Sequence, residues 1–361
     1  MLPDAPPTPF RLAQPPRRWQ QLGCVMPRGG PGAYDSRVTG DPCVVRDEQA
    51  DAWRTFYFAM GQVSENENCA NAQAMLRLVD GRPVFEKLGP IVYENKADLR
   101  GSAHKPWIVM DPTRPGEPAR PDGRIWLLSA VYRGANKVIV LSTAETLAGP
   151  WRVEPEPLVN LGQAEAFDGY HADSPTGWWF PDREQVLVYY KGYPRHPQAD
   201  QPLSPLGSSL AAVVVDPATR RAHHVGRMLP PVEQPGHWAS GWMGPMQLFA
   251  AEGGGWWGLL SASPTPPAPV EESPRMREPA PSQGGWAYTA AAWPVGGWEL
   301  EDEPIVRADA VPADAAADGE GVNFWRHHLA VLDGSRALLL YNSGPYGEER
   351  LFGRMGSVDA R

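Results

Sequence analysis

The chain has 361 residues and a formal net charge of −9, and 42% of its residues are hydrophobic, including 15 Trp. This apolar content excludes a disordered chain, and the lack of a basic, aromatic-rich stripe argues against a nucleic-acid partner. No apolar run approaches the roughly 18 residues of a membrane span, and the N-terminus lacks the apolar core of a signal peptide, so no membrane partner is expected.

The cysteines indicate a reducing compartment. Cys24, Cys43 and Cys69 are an odd number without C-x-x-C spacing, so neither a disulfide framework nor a zinc ribbon is predicted. We therefore expect a cytoplasmic protein with no cofactor and no bound metal. The acidic balance favours a neutral or cationic ligand over a polyanion, although net charge says little about a local pocket.

Short β-rich runs follow one another along the chain, and helical periodicity is nearly absent. Each run is bounded by Gly, Pro, Asp or Asn, which is typical of antiparallel strands joined by tight turns. The segments DGR at 122–124 and DGS at 333–335 are hairpin-turn signals. In chain order the principal runs are CVVRD, WRTFYFAM, AQAMLRLVDG, RIWLLSAVY, KVIVLSTA, QVLVYYKGY, SLAAVVVDP, GWWGLLSAS, WAYTAAAWPV and RALLLYNSG.

The runs form a repeat of about 70 residues. Apolar strands start near residues 41, 105, 174, 244 and 327, four of them at an X-Pro pair, and an aromatic-rich strand follows each. Five four-stranded antiparallel units repeated around an axis make a five-bladed β-propeller, so we predict an all-β fold with one such domain over 1–361. A β-sandwich with fortuitous spacing is the alternative. The N-terminal WQQLGCVMPRGG resembles the outer strands and is predicted to complete the last blade.

Two segments depart from the repeat. Residues 261–285 form a Pro-rich insertion, which is either a lid over a pocket or a surface loop. Residues 307–321 form an acidic, Ala-rich connector. Neither carries a motif that would change the predicted fold.

Polar side chains recur where the innermost strands begin. In a propeller all these strands start at one end of the central channel, so their first side chains converge on the axis. One Asp-Pro pair is usually a turn, but charged side chains repeated at this register have no structural need and are costly to bury, which indicates a site. The strand starts carry Asp41, His104, Lys105, Asp173, Ser174, Met243, Arg326, His327 and His328, and the loops before them carry Asp35, Asp168, His171, His237 and Trp242.

Three segments resemble one enzyme group. GDPCVV at residues 40–45 resembles the Asp-Pro opening of the five-bladed propeller glycosidases, which include arabinanases, xylosidases, invertase-like fructosidases and anhydrogalactosidases. SAVYRGANKVIVLSTAETLAGPWR looks like their blade-two hairpin, and GPYGEERLFGRMG is similar to their last outer strand. The resemblance implies cleavage of a glycosidic bond in a short oligosaccharide or glycoside.

The resemblance also implies catalytic roles. Asp41 matches the aspartate that serves as base or nucleophile, and Asp173 matches the one that tunes or orients it. Met243 stands where many members have the glutamate of Glu-Gly-Pro, so the proton donor is expected to be His237 or Glu165. A histidine near an aspartate can be held as imidazolium, and His237 or His171 beside Asp173 would fit. We expect inversion of configuration, with Asp41 activating water.

The remaining polar and aromatic residues of this end are expected to bind substrate. Histidine, lysine and arginine could donate hydrogen bonds to sugar hydroxyls or a carboxylate, and Trp could support a sugar ring or pack between blades. The substrate-binding set is Asp35, His104, Lys105, Trp107, Glu165, His171, Trp242, Arg326 and His327, with Trp325 as a third possible platform. Two other functions remain open: a propeller that binds sugar without cleaving it, and a histidine–metal lyase or lactonase.

Overall fold

A computed structural model describes residues 9–61, 69–163, 166–194, 207–264, 282–307, 320, 324–345 and 347–360. These residues form 22 strands and one short 3-10 helix, Lys96–Leu99. No helix within these ranges has the length and apolar character needed to cross a membrane.

The strands group into five antiparallel blades of four. The chain opens with β1 (Leu12–Gln14) and β2 (Trp19–Met26). Blade one contains β3 (Val38–Asp47), β4 (Ala52–Met60), β5 (Cys69–Val79) and β6 (Arg82–Pro90). Blade two contains β7 (Ala103–Ile108), β8 (Ile125–Arg133), β9 (Asn136–Ala144) and β10 (Arg152–Val153).

The other three blades repeat this order from the innermost strand outward. Blade three contains β11 (His171–Phe180), β12 (Gln185–Tyr193), β13 (Ser209–Asp216) and β14 (Arg221–Leu229). Blade four contains β15 (Trp242–Ala250), β16 (Trp256–Ser263), β17 (Gln283–Thr289) and β18 (Glu299–Leu300). Blade five contains β19 (Trp325–Val331), β20 (Arg336–Ser343), β21 (Arg350–Ser357) and then β2 from the start of the chain. The predicted all-β, five-bladed propeller is confirmed.

The N-terminal strand closes the ring, as its sequence predicted. β2 pairs antiparallel with β21, with Trp19 opposite Gly356 and Met26 opposite Leu351. A second short pairing joins β1 to the last strand, β22 (Asp359–Ala360). The first and last strands of the chain therefore share hydrogen-bonded sheets.

Burial decreases from the axis to the rim of each blade, which explains the sequence pattern of the strands. All nine residues of β4 and all nine of β15 are buried, whereas β6 alternates between exposed and half-buried side chains. Inner strands pack on both faces and are therefore nearly continuous apolar runs, while a rim strand packs on one face. Seven fully buried tryptophans fill the spaces within and between blades: Trp53, Trp107, Trp126, Trp151, Trp178, Trp242 and Trp286.

The turns follow the sequence signals where the structure describes them. Asp333 closes the turn between β19 and β20, because its Oδ1 accepts hydrogen bonds from the backbone N–H groups of Ser335 and Arg336. Asp80 and Gly81 both have positive φ between β5 and β6, as a two-residue hairpin loop requires. Most of the Pro-rich insertion and of the acidic connector lies outside the described residues.

Candidate active site

Each innermost strand is irregular near its first residues. The antiparallel pairing with the second strand breaks at the same place in all five blades, and one residue there has positive φ. Such a backbone is strained for residues other than glycine and is concentrated at functional sites. We call these five residues the axial ring: Asp41 (φ 49°), Lys105 (57°), Ser174 (53°), Gly244 (104°) and Arg326 (51°).

Asp41 is held at the ring by an asparagine from blade five. Asn342 Oδ1 accepts the Asp41 backbone N–H at 2.5 Å, and Asn342 Nδ2 donates to Asp41 Oδ1 at 2.9 Å. Only glycine fits at position 40, because a Cβ there would lie 2.5 Å from Asn342 Nδ2. The sequence did not indicate Asn342, because it lies near the end of the second strand of its blade and not at the start of an innermost strand.

Burial raises the pKa of the Asp41 carboxyl above its ordinary value of 3.8. Lys105, Arg326 and the hydrogen bond from Asn342 act against this increase, and the negative charge of Asp173 adds to it. Asp41 is only 4% exposed, so the desolvation of its charged form outweighs its favourable partners.

The pKa of Asp173 is shifted in the opposite direction. Burial alone would raise its pKa, but Lys105, Lys137 and His104 hold the pKa well below 3.8. Its Oδ2 lies 2.7 Å from Lys105 Nζ and 3.3 Å from Lys137 Nζ, and its Oδ1 accepts the Ser174 backbone N–H at 2.7 Å. Lys137 was also missed; its signal is a single lysine in the otherwise apolar strand KVIVLSTA.

Arg326 reaches from blade five across the channel. Its Nη2 donates to the carbonyl oxygens of Pro175 at 2.8 Å and Lys105 at 3.5 Å, and its guanidinium carbon lies 5.7 Å from the Trp107 ring centroid. Burial lowers the pKa of Arg326, and the charges of Asp41 and Asp173 oppose that shift. The charges of both predicted carboxyls, Asp41 and Asp173, thus act on the Arg326 guanidinium.

Two histidines accompany Asp173. His171 Nδ1 accepts the backbone N–H of Lys137 at 2.9 Å, so the ring proton of its neutral form is on Nε2 and the ring acts as a donor. Because Nδ1 is already an acceptor, His171 is poorly suited to be the imidazolium acid considered for it. His104 stacks on Tyr132 at 5.4 Å and is the histidine whose charge acts on Asp173.

Lys191 of blade three and Trp242 of blade four lie next to the axial ring. Lys191 is the cross-strand partner of Asp173, and its Nζ lies 3.4 Å from the centroid of the Trp242 ring and 4.8 Å from that of Tyr193. Trp242 is 1% exposed and its ring lies 5.9 Å from that of Trp325, so it packs between blades and is not an open platform for a sugar. Lys191 had no sequence signal beyond its place in QVLVYYKGY.

Several predicted site residues lie elsewhere and correct the sequence interpretation. His237 contacts a surface cavity of about 450 Å³ on blade four, which Asp302 also lines. Burial lowers the pKa of His237, and the charge opposing that shift belongs to Asp302 rather than Asp173. His237 therefore does not form the expected pair with Asp173.

His327 and Trp107 are packing residues. His327 Nδ1 lies 2.8 Å from Ser261 Oγ, and its ring lies against Gly284 and Tyr341 between blades four and five. Burial lowers its pKa to about 3, so it is neutral at pH 7. Trp107 is 1% exposed and packs edge-on against Trp178. Glu165 lies outside the described residues.

Asp35 belongs to a loop that the sequence repeats. It forms a 2.5 Å ion pair with Lys87 on the rim strand β6 and acts electrostatically on Tyr57. In blade three the equivalent Asp168 accepts the Tyr190 hydroxyl at 2.6 Å, and in blade five Glu320 accepts that of Tyr341. Each acid stands six residues before an axial-ring residue. Asp35 is therefore a structural residue that secures the loop leading to Asp41.

Metal binding has no visible ligand set in the part of the chain that the structure describes. No group of three or more His, Cys, Asp or Glu there could hold a metal ion. The histidines predicted for the site contact aromatic rings, backbone groups or serine.

Comparisons with known proteins settle the fold. No protein-family model matches the chain, and no curated protein matches its sequence. Solved structures do match over nearly the whole chain. The fold is that of the five-bladed propeller glycoside hydrolases.

Three of these structures illustrate the similarity. One described as a glycoside hydrolase has a TM-score of 0.66 and 13% identity, covering 95% of this chain and 92% of its own. A thermostable family-43 glycoside hydrolase has a TM-score of 0.58 and 14% identity, covering 94% and 92%. A family 117 glycoside hydrolase from the marine bacterium Zobellia galactanivorans has a TM-score of 0.54 and 12% identity, covering 95% and 91%. The resemblance seen in the sequence is confirmed at the level of fold, and activity must be argued from the site.

Proposed function

We propose that this chain is a glycoside hydrolase whose reaction takes place at the axial ring. One observation carries the proposal: two buried carboxyls share this end of the channel, and their surroundings shift their pKa values in opposite directions. Such divergence between neighbouring carboxyls separates their roles in glycosidases.

Asp41 is the proposed general base. A base works best when its pKa approaches the working pH, and burial moves the pKa of Asp41 in that direction. Asn342 binds both its backbone and its carboxyl, so the oxygens of Asp41 have a fixed orientation. Asp41 would remove a proton from water as the water attacks the anomeric carbon.

Asp173 is the proposed positioning residue. Its Oδ2 is shared by two lysines and its Oδ1 accepts a backbone N–H, so neither oxygen is well placed to attack a sugar. Only Asp41 of the pair is then a reacting carboxylate. One carboxylate that activates water is the inverting arrangement, and proton NMR of the first-formed anomer measures this outcome.

His104 is the proposed proton donor. It is the histidine whose charge interacts with Asp173, whereas His237 interacts with Asp302. His104→Ala should slow cleavage of natural glycosides more than that of aryl glycosides with good leaving groups, because the latter need little protonation. His237→Ala should affect both substrates little. The reverse pattern, with His237 carrying the leaving-group effect, would reject this assignment.

A panel of aryl glycosides tests the proposal directly. Asp41→Asn should fold normally and lower kcat by roughly 10²–10⁴-fold, because it removes the base while preserving shape. Asp302→Asn, an exposed acid beside His237, is the matched control and should retain wild-type kcat. Wild-type turnover by Asp41→Asn would remove Asp41 from the mechanism. Activity that EDTA abolishes would instead indicate the metal-dependent lyase or lactonase.

A propeller that binds sugar without cleaving it is the second candidate, and one observation favours it. Met243 occupies the place of the family's glutamate and is completely buried, so this position supplies no proton donor. Saturable binding in calorimetry, with no turnover of any glycoside in the panel, would support this candidate over hydrolysis.

A further inference from the structure

Among the described residues whose charges act on Asp41 and Asp173, positive charge exceeds negative charge. The cations that act on Asp41 and Asp173 are Lys105, Lys137 and Arg326, so three permanent cations face two carboxyls. A surplus of buried positive charge is unfavourable unless an anion compensates it.

Two nitrogen atoms of the Arg326 guanidinium lack a hydrogen-bond acceptor among the described residues. The residue is 3% exposed, and the only hydrogen bonds its guanidinium makes to the described residues run from Nη2 to the two backbone carbonyls named above. Its Nε and Nη1 atoms, which carry three of the five guanidinium N–H bonds, are buried without an acceptor in the part of the chain described. Buried polar groups in native proteins nearly always have a partner, so these two nitrogen atoms are available to a bound ligand.

The lysines reinforce this charge. Lys105 and Lys137 share a single oxygen of Asp173, so one carboxylate faces two ammonium groups. A fourth cation, Lys191, lies above the Trp242 ring on the same side of the ring of blades. Because Trp242 is itself buried, Lys191 contributes positive charge here and the ring contributes no open surface.

We propose that the sugar bound at the axial ring carries a negatively charged substituent, a carboxylate or a sulfate ester, which Arg326 and the neighbouring lysines neutralise. The proposal rests on the proposed function, since it names the substrate class of the same site. It also reverses the ligand charge that the net charge of −9 suggested. A cluster of cations in an acidic protein would accept one anionic sugar while the acidic exterior repels an extended polyanion.

Binding of free monosaccharides to the wild-type protein tests this inference without requiring hydrolysis. The calorimetric panel is galactose, galacturonate and galactose 6-sulfate, then glucose, glucuronate and glucose 6-sulfate, with sodium sulfate and inorganic phosphate as ion controls. We expect at least one acidic sugar to bind about tenfold or more tightly than its neutral parent. Its affinity should fall as NaCl rises from roughly 50 mM to roughly 500 mM, while that of the neutral sugar stays constant. Comparison of the uronates with the sulfates identifies the substituent.

Arg326→Gln, with Arg336→Gln as the matched control, locates the charge. Arg336 is half-exposed and paired with Asp333 in a turn between β19 and β20, so its loss should leave binding unchanged. Arg326→Gln should lower the preference for the acidic sugar about tenfold, and Arg326→Lys should restore part of it. If Arg326→Gln does not fold, Arg326→Lys and the wild-type ranking still decide the question.

Three results would overturn the inference: equal affinity for neutral and acidic sugars, binding of sulfate or phosphate ions as tight as that of the acidic sugars, or no sugar binding at all. Failure of hydrolysis is a separate result. A protein that binds acidic sugars but cleaves no glycoside refutes only the hydrolase proposal. One that cleaves neutral glycosides without preference for charged ones refutes only the charged substituent.

Discussion

Blades one and three reach the axis through similar loops but place their acids differently. Both loops have an acid six residues before the axial ring, Asp35 in one and Asp168 in the other. Asp41 occupies the ring position itself, whereas Asp173 lies one residue earlier, beside Ser174. That offset gives Asp41 an asparagine partner and gives Asp173 two lysines. In the proposed mechanism, one residue of register within an irregular strand therefore separates the reacting carboxyl from the positioning one.

The largest effect should come from removing the acid of blade three. Asp173→Asn leaves the partly buried Lys105 and the buried Lys137 without this carboxylate, so the free energy of unfolding at pH 7 should fall by about 3 kcal/mol. Turnover should also fall, because the lysines lose their anchor. Urea denaturation and aryl-glycoside assays measure the two effects.

The loss of stability should depend on pH in a defined direction. The folded pKa of Asp173 lies below 3.8, so its charge stabilises the protein above that pH and the stabilisation disappears as pH falls toward the folded pKa. The difference in stability between wild type and Asp173→Asn should therefore shrink below about pH 4.

Asp47→Asn is the matched control: it breaks a buried 2.7 Å ion pair with Arg54 at the C-terminal end of β3. It should lose stability but retain turnover, and an equal loss of turnover would deny Asp173 a positioning role.

A smaller effect should come from the partner of the acid in blade one. The Asn342 hydrogen bond lowers the pKa of Asp41, so Asn342→Ala should raise that pKa further. The acidic limb of the kcat/KM profile should then move to higher pH, and turnover near neutrality should fall about tenfold. Asn71→Ala, which removes a buried amide that bonds Ser129, should leave the profile in place. An unmoved limb in Asn342→Ala would mean that Asp41 does not control it.

The smallest effect separates backbone strain from chemistry. Ser174→Gly relieves a positive φ without removing a charge, so unfolding should cost about 1 kcal/mol more and turnover should be retained. Gly244→Ala places a side chain at φ 104° and should lower stability by about the same amount. Thermal denaturation of both variants measures these changes. Shifts of the same sign would contradict the assignment of strain to the ring.

The sequence predicted the fold and the positions of Asp41 and Asp173 at the starts of inner strands, but it did not predict which residues surround them. The X-Pro repeat places Asp41, Lys105 and Ser174 correctly because it marks the irregular start of each inner strand. Lys137 and Asn342 lie on outer or second strands, and only the pairing register brings them to the axis. That register was not readable from the positions of the prolines.

The histidines show a second reason for the misses. A position near a strand start does not give the direction of the side chain. His327 turns between two blades, and His237 lines a surface cavity of blade four together with Asp302. His104 lies one residue before the ring, as Asp173 does, and acts on that acid. Side-chain direction depends on the local backbone, which residue type alone does not fix.

Ring closure by β2 has a consequence for how the molecule assembles. Trp19 pairs with Gly356, so the fifth sheet joins a segment made before the other four blades to one made after them. Contacts between such distant parts of a chain form slowly, because a long loop must close before they can form. A growing polypeptide would complete the sheets of four blades before β21, the partner of β2, is made. Pairing of β2 with β21 would therefore be the last step in closing the propeller.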